Sequence, residues 1–153
     1  MEALERFNLA PLKTRRDIAM LGVVFRAAKG TGPEPLQSFF LPAPGRLGPT
    51  TRSADFHNLQ LQTYRTGEHL DVVRRSVLGA VDVFNVLPPA VVESSKTVRA
   101  LQAQLQQVVI TAAREGEEDW QGLLSANSSS WERKALRRLR GWKTQRAEVP
   151  CRS

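Results

Sequence analysis

The sequence predicts a mainly α-helical fold: a small helical domain of three or four core helices, with a short β-hairpin and a basic C-terminal helix. Three stretches repeat apolar residues every three or four positions, which is the spacing of one helix face. Only one stretch alternates apolar and polar residues as a half-buried strand does. The chain has 153 residues, of which 41% are hydrophobic, and this is enough for one domain with a modest core.

The first predicted core helix begins at Pro11, which suits a first helical turn, and runs to about Lys29. Gly30 follows directly, as expected of a helix end. Arg15 and Arg16 lie opposite the apolar side. The residues on or near that apolar side are Leu12, Ile18, Leu21, Phe25 and Ala28.

The region that follows is rich in proline and glycine from 31 to 53, which indicates a loop around one short helix. That helix covers Pro35–Leu41 and directs three apolar side chains to the core. They are Leu36, Phe39 and Phe40. Residues 58–65 alternate in the strand pattern, and we expect them to form the hairpin with an extended segment near 50–55.

The stretch from 72 to 105 organises the chain as a helix, a stop at Pro88 and Pro89, and a second helix. The apolar face of the first helix contains Val73, Val77, Ala80, Phe84 and Leu87. Gly79 lies in mid-helix, where it costs about 1 kcal/mol relative to alanine. We therefore expect either close packing against it or a local weakness.

The second helix restarts after Ser94 and Ser95, either of which suits a cap, and stops at Gly116. Its narrow apolar seam is formed by Val98, Leu101, Leu105, Val108 and Ala112. A helical hairpin packed by its own apolar faces explains this pattern. A dimerising coiled coil is the alternative, although the seam spans few heptads.

The positive charge is concentrated at the C-terminus. Of a formal net charge of +7, residues 1–130 contribute fourteen Lys and Arg against thirteen Asp and Glu, whereas residues 131–153 contribute eight against two. We therefore divide the chain into a helical domain (1–116), a short acidic helix and serine-rich linker (117–130), and a basic amphipathic helix with a disordered end (131–153).

The basic C-terminal helix is the main functional signal in the sequence. Guanidinium groups bind phosphates in a bidentate manner, and tryptophans stack on unpaired bases. The candidate nucleic-acid-binding residues are Trp131, Arg133, Lys134, Arg137, Arg138, Arg140, Trp142 and Lys143, with Arg74 and Arg75 on the central helix. A merely solvated helix, a membrane surface and a protein partner remain as alternatives.

The sequence shows no catalytic constellation, cofactor motif or metal-ligand spacing. His57 and His69 have no recognisable partner, and both are interpreted as solvated or locally bonded. Cys151 is the single cysteine, so no disulfide framework is expected. No apolar run approaches the roughly 20 residues needed to span a bilayer. We expect an intracellular protein, cytoplasmic or nuclear, with RNA or DNA as its partner, or a protein partner or second copy of itself.

The order of several motifs resembles the C-terminal, post-palm region of non-LTR retrotransposon reverse transcriptases. The matching residues are Leu12–Arg16, Phe25–Gly30, Pro35–Leu36, Phe39–Phe40, Arg52, Arg74–Ser76, Phe84–Pro88, Leu101 and Leu105. Phe84 stands where that family usually has Trp, and Ala100 stands where it has Phe. The resemblance covers residues 9–105 and does not extend beyond Gly116.

This resemblance implies an accessory piece of a mobile-element polyprotein that helps to handle the template after the palm. The chain has no aromatic-x-Asp-Asp motif to hold two magnesium ions, and no Asp-Asp pair at all. We therefore expect no enzymatic activity from this chain alone. A helical protein-interaction module and a degenerate fragment without selected activity are the alternatives.

Overall fold

A computed structural model describes residues 10–44, 57–63, 70–118 and 120–126. These residues are mainly helical, as the sequence predicts. Their elements in chain order are α1 (Leu12–Ala28), α2 (Glu34–Gln37), α3 (Leu70–Arg75), α4 (Ala80–Asn85), α5 (Pro89–Ser94), α6 (Val98–Arg114) and a single 3₁₀ turn, η1 (Trp120–Gly122). The predicted acidic helix is thus reduced to η1, and the predicted basic helix lies outside the described residues.

The two long helices, α1 and α6, run antiparallel. At one end, the Nζ of Lys29 donates hydrogen bonds to the carbonyls of Ser95, at 3.1 Å, and Lys96, at 3.3 Å, just before α6 begins. At the other end, the Oγ1 of Thr14 donates to the carbonyl of Gln121, at 3.3 Å, just after α6 ends. The start of α1 therefore lies beside the segment through which the chain leaves α6.

The core forms where α1 packs against both α4 and α6. The largest fully buried side chains include Leu21, Phe25, Phe84, Leu101 and Leu105. The rings of Phe25 and Phe84 meet edge to face, with centroids 6.5 Å apart. The seam of α6 is thus buried inside the chain, as the helical-hairpin interpretation expects. Its main partner, however, is α1 and not the central helix.

The helix ends were predicted with mixed success. Gly30 and Gly116 adopt positive φ angles of 68° and 75° after α1 and α6, as expected of glycine helix stops. The expected cap of α6 was wrong, because Thr97, and not a serine, accepts a hydrogen bond from the Ala100 N–H at 3.2 Å. The preceding residues instead form α5, which the sequence did not predict.

The expected continuous central helix is interrupted between α3 and α4. The Oγ of Ser76 donates to the carbonyl of Val73 at 2.6 Å and accepts from the Leu78 N–H at 3.2 Å. The serine side chain therefore bonds backbone groups on both sides of the interruption. Gly79 then approaches the backbone of Arg74 so closely that a Cβ there would overlap it. The close packing expected at this glycine is confirmed, and it occurs at a helix break.

Three apolar residues that were expected in the core are exposed. Leu12 at the start of α1 is 81% exposed, while Leu36 and Phe39 are 37% and 52% exposed. Helix α2 has only four residues, so it directs few side chains inward, and Phe40 just beyond it is the one that is buried.

The predicted β-hairpin is not supported in the described part of the chain. Residues 57–63 contain no strand, and Leu61 forms only an isolated antiparallel bridge with Pro42. Two backbone bonds flank the bridge, from the Ala43 N–H to Gln60 and from the Gln62 N–H to Leu41. The pairing segment predicted at 50–55 lies outside the described residues.

Candidate nucleic-acid interface

The structure describes two of the ten predicted nucleic-acid-binding residues. Arg74 and Arg75 occupy the last turn of α3, and both are exposed. The others lie outside the described residues: Trp131, Arg133, Lys134, Arg137, Arg138, Arg140, Trp142 and Lys143. The structure therefore does not bring the two parts of the predicted interface together, and the arrangement of the C-terminal basic residues stays a prediction.

Helix α3 presents its two arginines from a fixed backbone. Asp71 lies in the first turn and the arginines in the last, so both charge signs complement the helix dipole. Because Gly79 packs on the backbone of Arg74, the end of α3 is held against α4 while the side chains of Arg74 and Arg75 face solvent. This arrangement suits phosphate contact, and it also suits an ordinary solvated helix end.

A second group of exposed cations lies at the start of α1. Lys13, Arg15 and Arg16 are all exposed, and the first turn of α1 contains no acidic residue. Sequence analysis placed Arg15 and Arg16 opposite the apolar side without assigning them a role. They are unusual because three cations fall within four consecutive positions at a helix start, where carboxylates are the favoured residues.

His57 has a structural role: of the two states that the sequence left open, solvated or locally bonded, the structure shows the locally bonded one. It is 2% exposed, and its Nδ1 accepts the Leu59 N–H at 3.2 Å. Its Nε2 therefore carries the proton and donates to the Phe84 carbonyl at 2.8 Å. Burial lowers the pKa of His57 below 6.5, against smaller opposing effects of the Phe84 carbonyl and Glu93. The neutral His57 side chain therefore links the backbone of Leu59 to that of Phe84.

Asn85 completes this attachment of residues 57–63 to α4. Its Nδ2 donates to the Leu61 carbonyl at 2.7 Å, and its Oδ1 accepts the Leu61 N–H at 2.9 Å. Its carbonyl accepts a bond from the Gln60 side chain at 2.9 Å. We call His57, Gln60, Leu61 and Asn85 the α4 clamp. Asn85 belongs to the stretch that resembles the reverse transcriptase signature, and its contacts here are structural.

Asp17 is a second buried titratable side chain in the described part of the chain. It is 3% exposed, and its Oδ2 has no hydrogen-bond partner among the described residues. Desolvation raises the pKa of Asp17, while the nearby charges of Arg16 and Lys13 act in the opposite direction. Among the described residues, no three His, Cys, Asp or Glu side chains lie together in a way that could hold a metal ion.

In the part of the chain that is described, no helix has the length and apolar character required to cross a bilayer. Comparison with known protein families, with curated proteins and with solved structures gave no match to this chain.

Proposed function

We propose that this chain is a non-catalytic accessory module that binds RNA or DNA through its basic C-terminal segment. The observation that carries the proposal is the uneven charge, with eight Lys and Arg against two Asp and Glu in residues 131–153. The remainder of the chain is almost neutral, so this excess is not a general property of the protein. A segment of this kind attracts a polyanion without help from the rest of the surface.

The residue types in this segment fit a sugar-phosphate backbone with unpaired bases. Arg133, Arg137 and Arg140 repeat at helical spacing, so on a helix they share one side, and each guanidinium can contact a phosphate with two N–H groups. Trp131 and Trp142 offer stacking surfaces for bases. The exposed Arg74 and Arg75 of α3 supply further cations on the folded part.

The resemblance to the post-palm region of non-LTR retrotransposon reverse transcriptases supports this function, because it suggests that the chain originates from a mobile-element polyprotein. The resemblance implies that such a region helps to handle the template, while a separate palm performs the polymerisation. The chain lacks the paired aspartates of such a palm. We therefore expect no primer extension by the isolated protein with any template, primer and divalent metal ion.

The direct test is a binding titration of the full chain by fluorescence anisotropy. The probes are a labelled oligouridylate of about 20 nucleotides and a DNA duplex of about 20 base pairs. Changing Arg133, Arg137, Arg138 and Arg140 to Glu should weaken binding at least about 100-fold near 0.1 M salt. It should also reduce the slope of log affinity against log salt by about 3, because four phosphate contacts are lost.

A matched control changes four exposed cations of the folded part to Glu. These are Arg26, Lys96, Arg99 and Arg114. The control has the same net charge as the test variant, so it should lose only the part of the affinity that depends on overall charge. If the two variants bind equally well, the C-terminal segment is not the binding element and the proposal is wrong.

The alternative of a partner-binding seam on α6 has less support. Leu101, Leu105, Val108 and Ala112 are buried within the chain itself, so they are already occupied by α1 and its neighbours. A homotypic coiled coil through this seam would require α1 to be displaced. We therefore expect a substitution at Leu105 not to abolish any self-association that light scattering detects over a range of concentrations.

A further inference from the structure

Residues 57–63 are joined to the rest of the fold largely through polar contacts. Leu61 is buried, and its N–H and carbonyl bond the side chain of Asn85. Helices α1 and α6, by contrast, bury apolar side chains along their length. A segment with few buried apolar contacts opens at a lower free energy than a packed helix core does. Residues 57–63 can therefore leave α4 while α1 and α6 remain packed.

His57 is the ionisable group of this attachment, and both of its ring nitrogens are engaged. Its Nδ1 accepts the Leu59 N–H at 3.2 Å, and its Nε2 donates to the Phe84 carbonyl at 2.8 Å. The ring also packs edge to face on Phe84, with centroids 4.8 Å apart. This set of contacts requires a neutral ring with its proton on Nε2, because a protonated Nδ1 has no lone pair to accept the Leu59 N–H.

Protonation of His57 is therefore incompatible with the closed arrangement. It would turn Nδ1 and the Leu59 nitrogen, 3.2 Å apart, into two facing donors. It would also place a positive charge on a ring that is 2% exposed, which is costly without a bonded carboxylate. Burial lowers the pKa of His57 for this reason. Release of the segment removes both costs, because water then solvates the charged ring and the freed N–H.

The charges around the ring offset this cost only in part. Glu93 of α5 acts on His57 and favours the protonated ring, but its effect is smaller than that of burial. Its carboxylate is exposed and accepts the Asn58 N–H at 3.3 Å. Asp82, the charged residue of α4, lies two positions before Phe84 and so on another side of that helix. Residues 57–63 contain no ionisable side chain besides His57.

We propose that His57 is a pH-sensitive switch whose protonation releases residues 57–63 from α4 while the α1–α6 pair stays packed. Release exposes the side chain of Leu61 and the part of Phe84 that the His57 ring covers. The switch lies in the folded part of the chain and operates without any nucleic acid. In the released segment the histidine has its ordinary pKa of about 6.5, so acidification from about pH 7.5 to about pH 5 favours release by up to about 30-fold.

The test is amide hydrogen exchange of the full chain, followed by NMR at about pH 7.5 and about pH 5 in several urea concentrations below the unfolding transition. The amides of Leu59 and Leu61 should exchange through an opening with little urea dependence, since local release exposes little surface. This opening should be at least about tenfold more frequent than that of Leu105 and Val109 in α6. After correction for intrinsic exchange rates, it should become up to about 30-fold more frequent at the lower pH.

His57→Gln keeps an N–H donor for the Phe84 carbonyl but does not titrate, so it should remove the pH dependence of the Leu61 opening. His69→Gln is the matched control and should preserve it. Equal protection and equal urea dependence of Leu61 and Leu105 would overturn the proposal, because His57 would then act only through global unfolding. A pH-independent opening, or a pH dependence that persists in His57→Gln, would also overturn it.

The imidazole Cε1–H signal of His57 in the unaltered chain tests the same point if His57→Gln fails to fold. Its titration should accompany the loss of protection at Leu61. A ring that becomes protonated while the Leu61 amide stays protected would show that the closed arrangement accepts the charge, and the switch would be wrong.

Discussion

The α1–α6 helix pair and the α4 clamp hold the chain together in opposite ways. Both helices are 17 residues long, and they join through buried apolar side chains such as Leu21 and Leu105. The clamp attaches residues 57–63 to a short helix through His57 and Asn85, whose polar atoms replace strand pairing. The first arrangement tolerates changes that keep volume, whereas the second depends on individual hydrogen bonds.

The largest expected effect comes from removing the aromatic ring at the centre of the helix pair. Phe25 is 1% exposed, contacts the edge of Phe84 and lies under the Nζ of Lys29 at 4.6 Å from its centroid. Phe25→Ala should lower the free energy of unfolding by about 3–5 kcal/mol. Urea denaturation measures this. Val23→Ala, at an exposed position of the same helix, should change it by less than about 1 kcal/mol.

A smaller but still large loss is expected from breaking the α4 clamp. Asn85→Ala leaves the N–H and the carbonyl of the buried Leu61 without their side-chain partners, at a cost of about 2–4 kcal/mol. Hydrogen exchange should show faster loss of protection at Leu61 than in α6. Asn58→Ala, at an exposed position of the same segment, serves as the control. If both variants are equally stable, the polar attachment contributes nothing to the free energy of unfolding.

This contrast explains which parts of the fold the sequence predicts. Helices α1 and α6 are long and periodic, and their glycine stops follow from general helix chemistry, so their existence and approximate ends were predicted. The α4 clamp was not predicted, because a histidine and an asparagine about 28 residues apart carry no pattern that pairs them. The prediction of a hairpin could not take this contact into account, since Asn85 supplies to Leu61 the bonds that a second strand would have supplied.

The cations of the candidate interface also differ in how far the sequence predicts them. The basic C-terminal segment is visible in the sequence because its charges are consecutive, and Arg74 and Arg75 were correctly expected at the surface. The exposed cations Lys13, Arg15 and Arg16 were not assigned a role, and the bond from neighbouring Thr14 to Gln121, 107 residues away in sequence, was not predicted. Charge runs can be counted in a sequence, whereas the contact between the start of α1 and the segment after α6 requires the fold.

An intermediate effect tests the start of α6. Thr97 caps the helix by accepting the Ala100 N–H, so Thr97→Ala should lower the free energy of unfolding by about 1 kcal/mol. Ser94 was one of the two residues that the sequence favoured for this role, and Ser94→Ala is the matched control. A greater loss for Ser94→Ala than for Thr97→Ala would show that the cap identified in the structure is wrong.

The smallest effect that we expect is a pH dependence from the α4 clamp. Folding lowers the pKa of His57 below 6.5, mainly because of burial, while the Phe84 carbonyl and Glu93 partly offset this effect. The folded state therefore binds fewer protons than the unfolded state below about pH 6.5. The stability contributed by neutral His57 is complete above that pH and is lost as the pH falls through the folded-state pKa.

Unfolding curves between about pH 5 and pH 8 should show this loss, and His57→Gln should remove it. His69→Gln, which alters the other histidine of the chain, should leave it in place. Asp17 contributes the opposite slope, because its raised pKa makes the folded state bind more protons as the pH falls. Asp17→Asn should therefore make the acid-side loss steeper. A steeper loss in Asp17→Asn, together with a profile in His57→Gln that no longer falls toward acid pH, would assign the two buried groups separately. An unchanged profile in His57→Gln would show that the clamp histidine is not buried in its neutral form.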